Sequence, residues 1–131
     1  MANVLLESVA DGVATLTMNR PESLNALSEE MLEGFLEALP RLASDSNVGS
    51  VIVTGAGKAF CAGGDVKAMA AGTEFKDETL EAKAQALSSS MDVSRWLHQM
   101  PKPTIAMIPG AAAGAGLSIA LSSDIRIASE S

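Results

Sequence analysis

Tyrosine is absent from the chain, tryptophan occurs once and phenylalanine three times. A platform that stacks nucleic-acid bases needs more aromatic faces than that. Basic residues are also scarce: 9 Lys and Arg stand against 16 Asp and Glu, a net charge of −7. A phosphate-backbone binder needs a basic face, so this balance excludes nucleic acid as a partner. A single cysteine excludes an internal disulfide framework and a cysteine-based zinc site, and points to a reducing compartment. No apolar run approaches the roughly 18 residues of a membrane span, so no membrane partner is expected. No basic segment precedes an apolar one at the N-terminus, so no secretory signal is expected. These absences predict a cytoplasmic, soluble protein.

What is present is ordinary in amount and uneven in distribution. The 131 residues are 47% hydrophobic and 19% charged, which suits one globular domain and leaves no disordered tail or linker. Seven of the eleven glycines fall in two segments, Gly55 to Gly64 and Gly110 to Gly116, each following an apolar run.

The pattern along the chain predicts alternating elements. Val4–Val9 and Val13–Met18 read as strands around Asp11-Gly12, a dipeptide that tolerates the positive φ of a tight hairpin turn. Pro21 stops the second strand. Ser28 is the expected N-cap of a helix whose first turns carry Glu29, Glu30 and Glu33. Its apolar stripe is Met31, Phe35, Leu39 and Leu42, and Pro40 puts its last turn in question. Val51-Ile52-Val53 is the β-branched run of a strand covered on both faces. Thr79 to Met100 reads as a helix weakened at Ser88-Ser89-Ser90, Thr104–Ile108 as a strand, Leu117–Leu121 as a short helix and Ile125–Ala128 as a strand. Buried strands alternating with helices indicate an α/β fold with a largely parallel sheet, built from a β-hairpin and repeated strand–helix units. The last strand has just begun when three residues remain, which predicts that the chain is part of a larger fold; a short edge strand is the ordinary alternative.

The first glycine segment, GAGKAFCAGGDV over Gly55 to Val66, brings backbone N–H groups where they can meet an anion or a polarised oxygen; a plain turn is the ordinary alternative. It is not a nucleoside-triphosphate loop, because no Gly-Lys-Ser/Thr follows. The second, PGAAAGAGLSIAL over Pro109 to Leu121, spaces its glycines at 110, 114 and 116, which is not the dinucleotide fingerprint. A nucleotide-binding module is therefore a poor reading. Together, two small-residue loops that each follow a parallel strand can each offer one N–H to a single carbonyl oxygen, an oxyanion hole.

At these residues the chain resembles the crotonase superfamily of enoyl-CoA hydratases and isomerases. Arg20-Pro21 with Leu24-Asn25-Ala26-Leu27 matches the family's R-P-x-x-x-N-A-L loop. Phe60 to Val66 matches F-x-A-G-x-D-[LIV], and Pro109 to Gly116 with Ser123-Asp124-Ile125-Arg126-Ile127-Ala128 matches the glycine helix entry and the C-D-[IL]-R-I-A strand. The resemblance implies a crotonase-like ββα spiral core over residues 1–131 that is incomplete. The C-terminal part of the fold and the helical trimerisation region would lie outside this chain. It implies an oxyanion hole made by the N–H groups of Gly64 and Ala115, with an acyl-CoA along Ser23, Leu24, Ala26, Ala62, Asp65, Val66 and Lys67. The Ala62 carbonyl would face the adenine; Lys58 and Lys67 would meet CoA phosphates or stand as solvated lysines. Coenzyme A enters as part of the substrate, with no other cofactor and no metal. The expected assembly is a homotrimer or dimer of trimers, with a second polypeptide as one way to complete the fold, and the expected setting is fatty acid metabolism.

Ser118 departs from the pattern. Hydratases of the family carry a Glu there that helps activate water, and a serine hydroxyl has no comparable basicity near neutral pH. The expectation shifts from hydration to double-bond isomerisation or another enolate reaction; the alternative is a non-catalytic acyl-CoA-binding or scaffold member. Elsewhere the bland readings hold: Asp65 caps a helix, Asp124 anchors a turn, Cys61 is a buried inert thiol, and His98, the sole histidine, is surface or interhelical.

Overall fold

A computed structural model describes residues 3–64 and 91–130. The expectations for Asp65, Val66 and Lys67, and for the helix from Thr79 to residue 90, lie outside the described residues. Strands β1 (Leu5–Ala10) and β2 (Val13–Met18) form an antiparallel hairpin paired from Leu5↔Met18 to Ala10↔Val13. Asp11 and Gly12 both have positive φ, 53° and 81°, the left-handed pair that matches strand twist in a two-residue turn. The sheet then grows by parallel addition of β3 (Ser50–Gly55), β4 (Thr104–Ile108) and β5 (Ile125–Ala128), in the order β1-β2-β3-β4-β5.

Among the described residues, three helices accompany the strands. Helix α1 (Glu29–Ser44) begins where expected: the Ser28 Oγ accepts from the Met31 N–H at 3.2 Å, satisfying one of the helix's orphan donors. The predicted stripe is fully buried, and Ala38 joins it. Pro40 does not end the helix, which runs on to Ser44. A proline in a helix interior costs about 3 kcal/mol. Burial of Met31, Phe35, Leu39 and Leu42 contributes about 1.5–3 kcal/mol each, so packing outweighs the break. The Lys102 Nζ donates to the carbonyls of Leu42 and Asp45 and closes the C-terminal turn. Helix α2 (residues 91–99) buries Val93 and Leu97, and α3 (Ala115–Ser122) buries Gly116, Ile119 and Ala120.

One face of the sheet is the core. Ala14, Leu16, Met18, Val51, Val53 and Ala106 lie on it, in lateral register through Ala14↔Val51, Leu16↔Val53 and Val53↔Ala106. The expectation that β3 is covered on both faces is corrected: Val51 and Val53 are buried, whereas Ile52 between them is half-buried. The reason is the pleat, which sends alternate side chains to opposite faces; among the described residues only one face is closed. On the other face Met107, Ile125 and Ile127 are exposed, with Met107 beside Ile127 in register.

Asp124 anchors the start of β5 to that of β4. Its Oδ2 accepts from the Thr104 N–H at 2.9 Å, and its own N–H donates to the Thr104 Oγ1 at 3.0 Å. The buried Thr104 hydroxyl donates onward to the Leu97 carbonyl of α2 at 3.0 Å. One buried threonine thereby joins two strands and a helix.

Candidate functional site

Three loops meet where the glycine segments leave their strands. The first runs from Arg20 to Leu27 and opens with a single 3-10 turn, Pro21–Ser23. Leu24 and Asn25 follow with φ of 54° and 58°. Two consecutive left-handed residues without glycine are uncommon, and the second is of the type that tolerates the conformation best. The other loops are residues 56–64 after β3 and residues 109–114 after β4.

Backbone hydrogen bonds tie the loops into a ladder. The Ala62 N–H donates to the Leu24 carbonyl at 3.0 Å and the Leu27 N–H to the Gly63 carbonyl at 2.7 Å. On the other side, the Phe60 N–H donates to the Ala111 carbonyl at 2.9 Å and the Ala113 N–H to the Cys61 carbonyl at 3.0 Å. Residues 60–64 thus form the middle rung between two loops that are far away in sequence. The packing admits no side chain at the crossing with α3. A Cβ on Gly116 would lie 2.6 Å from the Cys61 Cβ and 2.8 Å from its Sγ. One on Gly63, whose φ is 101°, would lie 2.9 Å from the Ala113 carbonyl oxygen and 3.5 Å from the Ala115 nitrogen.

This ladder orients two peptide groups. In a trans peptide the N–H points opposite to its own C=O, and no cis peptide occurs among the described residues. The Gly63 carbonyl faces the Leu27 N–H, so the Gly64 N–H on the same peptide faces the other way. The Gly114 carbonyl accepts from the Ser118 N–H at 3.2 Å within the first turn of α3, so the Ala115 N–H emerges from the helix start. Neither N–H donates to an acceptor among the described residues. Two unclaimed donors on adjacent small-residue backbone can bind one carbonyl oxygen.

Of the residues expected along the acyl-CoA, the structure brings Leu24, Ala26 and Ala62 together on the first two rungs, with Ser23 half-buried beside them and Leu24 exposed. Lys58 is exposed on the second loop. Ser118 is exposed on α3 with its Oγ 3.5 Å from the Gly114 carbonyl, at the outer limit of a hydrogen bond. Cys61 is fully buried beneath the ladder. Burial pushes its thiol above the ordinary range, with a backbone hydrogen bond from Gly63 opposing only in part. A raised pKa means fewer thiolates at any given pH, so the folded protein is expected to resist iodoacetamide at neutral pH and to react once denatured; rapid alkylation of the native chain would contradict this. His98 is exposed on α2. No group of three His, Cys, Asp or Glu side chains among the described residues could hold a metal ion. A cavity of about 390 Å³ on α2, around Arg95, Trp96 and Met100, shares no residue with the three loops.

The residue that reading the sequence underrated is Asn25, quoted in a motif but given no task. Its side chain is fully buried. The Oδ1 accepts from the Arg20 N–H at 2.8 Å, while the Nδ2 donates to the Ala56 and Ala59 carbonyls, both at 2.9 Å. The available signal was its type, since asparagine is favoured where a side chain must serve a left-handed turn.

The family model described as enoyl-CoA hydratase/isomerase matches residues 8–131. The chain is 37% identical over 138 residues to the 1,2-epoxyphenylacetyl-CoA isomerase of Escherichia coli (strain K12), covering 100% of this chain and 49% of that protein. A solved enoyl-CoA hydratase/isomerase from Xanthobacter autotrophicus Py2 superposes with a TM-score of 0.89 at 35% identity, over 98% of this chain and 46% of the other. An enoyl-CoA hydratase from Mycobacterium smegmatis gives 0.87 at 38% identity, over 97% and 48%. The chain spans about half the length of the curated relatives it matches. No helix among the described residues is long and apolar enough to cross a membrane.

Proposed function

The chain belongs to the enoyl-CoA hydratase/isomerase family and has its crotonase-type α/β fold, and from that membership we propose that it binds an acyl-CoA and polarises the thioester carbonyl through the Gly64 and Ala115 N–H groups. The observation that carries the reading is the pair of oriented peptides: each has its carbonyl held by a backbone donor, and each leaves its N–H unclaimed among the described residues. Charge that develops on the thioester oxygen as an enolate forms would meet donors already aimed at it. One such donor contributes about 3–4 kcal/mol to lowering a barrier. The pantetheine and nucleotide portions would follow Ser23, Leu24, Ala26 and Ala62 and continue along Asp65, Val66 and Lys67, with Lys58 and Lys67 near phosphates.

Ser118 directs the choice of reaction. A neutral hydroxyl does not take a proton from water without an activating base, and the hydroxyl has no titratable partner among the described residues. Isomerisation of a double bond, or another reaction through a thioester enolate, is therefore favoured over hydration. The proton would be carried by a carboxylate outside the described residues. The same serine favours a second reading, an acyl-CoA-binding or scaffold role without turnover. The assembly we propose is a trimer or dimer of trimers, or a complex with a second polypeptide. The exposed Met107, Leu117, Leu121, Ile125 and Ile127 support a covering segment. The proposed setting is cytoplasmic fatty acid metabolism.

The deciding experiment offers the protein a 3-enoyl-CoA and a 2-enoyl-CoA separately. Conversion of the 3-enoyl to the 2-enoyl ester, with hydration at least about tenfold slower, is the expected result. Hydration at an equal rate contradicts the isomerase assignment, and tight binding of both without turnover selects the scaffold reading.

A further inference from the structure

Resting on the oxyanion-hole reading above, we infer that Asn25 is a positioning residue that sets the direction of the Gly64 N–H. Its amide is fully buried, and all three of its hydrogen bonds run to backbone. The orientation of the amide is fixed by its surroundings, because only the NH₂ end can face the two carbonyls of Ala56 and Ala59. These bonds clamp the first loop onto the segment that leaves β3. A Cβ on Gly55 would lie 2.7 Å from the Asn25 Nδ2, so the amide lies directly against the end of that strand.

Two residues beyond the clamp, the Leu27 N–H grips the Gly63 carbonyl at 2.7 Å. That carbonyl and the Gly64 N–H belong to one rigid peptide plane, so rotation of one is rotation of the other. On the opposite side of Asn25, the Leu24 carbonyl holds the Ala62 N–H at 3.0 Å. The clamp therefore sits between the two bonds that orient residues 62–64. The Arg20 Nη1 donates to the Ala26 carbonyl at 2.7 Å and stiffens the step from Asn25 to Leu27. Accepting a hydrogen bond at its carbonyl also polarises the Gly63–Gly64 peptide and strengthens its N–H as a donor. Asn25 touches no substrate in this scheme; it acts through Leu27 and Gly63.

The test compares binding of butyryl-CoA with that of S-butyl-CoA, a thioether that lacks the carbonyl oxygen and is otherwise matched. Calorimetry is run on the native protein and on Asn25→Gly, which keeps the left-handed backbone and opens room for water at the stranded carbonyls. The native protein is expected to prefer the thioester by about tenfold, and Asn25→Gly to lose that preference to within about twofold. A merely structural loosening would lower both affinities alike and leave their ratio unchanged, which would overturn the inference about Asn25 alone. A native protein with no preference would overturn the oxyanion-hole reading and this inference with it. Asn25→Asp, which keeps the acceptor for Arg20 and loses both donors, is read in the same way. If circular dichroism shows the sheet lost in both variants, the amide holds the fold rather than the peptide, and the inference fails.

Discussion

Ala115→Pro is expected to lower turnover of an enoyl-CoA thioester by about 10²–10³-fold, the loss typical of deleting one oxyanion donor. The donor is a backbone N–H, so no side-chain truncation reaches it, and proline is the one residue that removes it. The position is unusually favourable for such a change. Ala115 is the first residue of α3, where a helix has no use for that N–H and where the fixed φ of proline suits the helix. The residue before a proline is restricted sterically, and here it is Gly114, which has no Cβ to clash. Melting temperature is therefore expected to move by less than about 5 °C. Unchanged turnover in the folded variant would show that the Ala115 N–H does not meet the reacting oxygen.

Gly116→Ala is the second large effect, and it falls on stability. Two contributions compete. Replacing glycine by alanine inside a helix gains up to about 1 kcal/mol from propensity. Against that, the new methyl would lie 2.6 Å from the Cys61 Cβ and 2.8 Å from its Sγ, both closer than real Cβ contacts allow. Overpacking of a buried crossing costs about 1–3 kcal/mol, more where neither side can yield. Neither yields here: Cys61 is held by backbone bonds to the third loop, and Gly116 by the first turn of the helix. We expect a net loss of about 2 kcal/mol, seen as a fall of roughly 10 °C in melting temperature. Adding Cys61→Ala removes the sulfur contact and leaves the Cβ contact, so it should recover only part of the loss. A rise in melting temperature on Gly116→Ala would mean that propensity wins and that the crossing is looser than described.

Much of this architecture was written locally. Asp11-Gly12 between alternating strands, Ser28 ahead of three acidic residues, and a stripe at three- and four-residue spacing are each read within a single short segment, and each is where it was expected. What sequence spacing did not carry is what tertiary packing decides. Pro40 reads as a helix terminator until the neighbouring core side chains outweigh it. Ile52 reads as buried because β-branched residues suit either face, and only the placement of helices determines which face is closed. The site is less local still. The Asn25 amide finds its acceptors 31 and 34 residues away. Gly63 meets the Ala113–Ala115 turn across some fifty residues of chain. Composition flagged the two glycine segments, their shared place after parallel strands suggested that they act together, and resemblance to a family singled out Gly64 and Ala115. Nothing in their own spacing encodes the peptide directions, which come from Leu27 and Ser118 donors on other parts of the chain or one turn ahead.

The glycines therefore divide the work. Gly116 and Gly63 permit the approach of backbone to backbone, and the loops that this brings together supply the donors.

The central claim is that a thioester carbonyl is polarised by two backbone N–H groups. Isotope-edited infrared spectroscopy of butyryl-CoA carrying a ¹³C=O thioester measures that polarisation directly. Bound to the protein, the carbonyl band is predicted to move below its frequency in water and to return most of the way in Ala115→Pro. A bound ester whose band stays at its aqueous frequency would contradict the account.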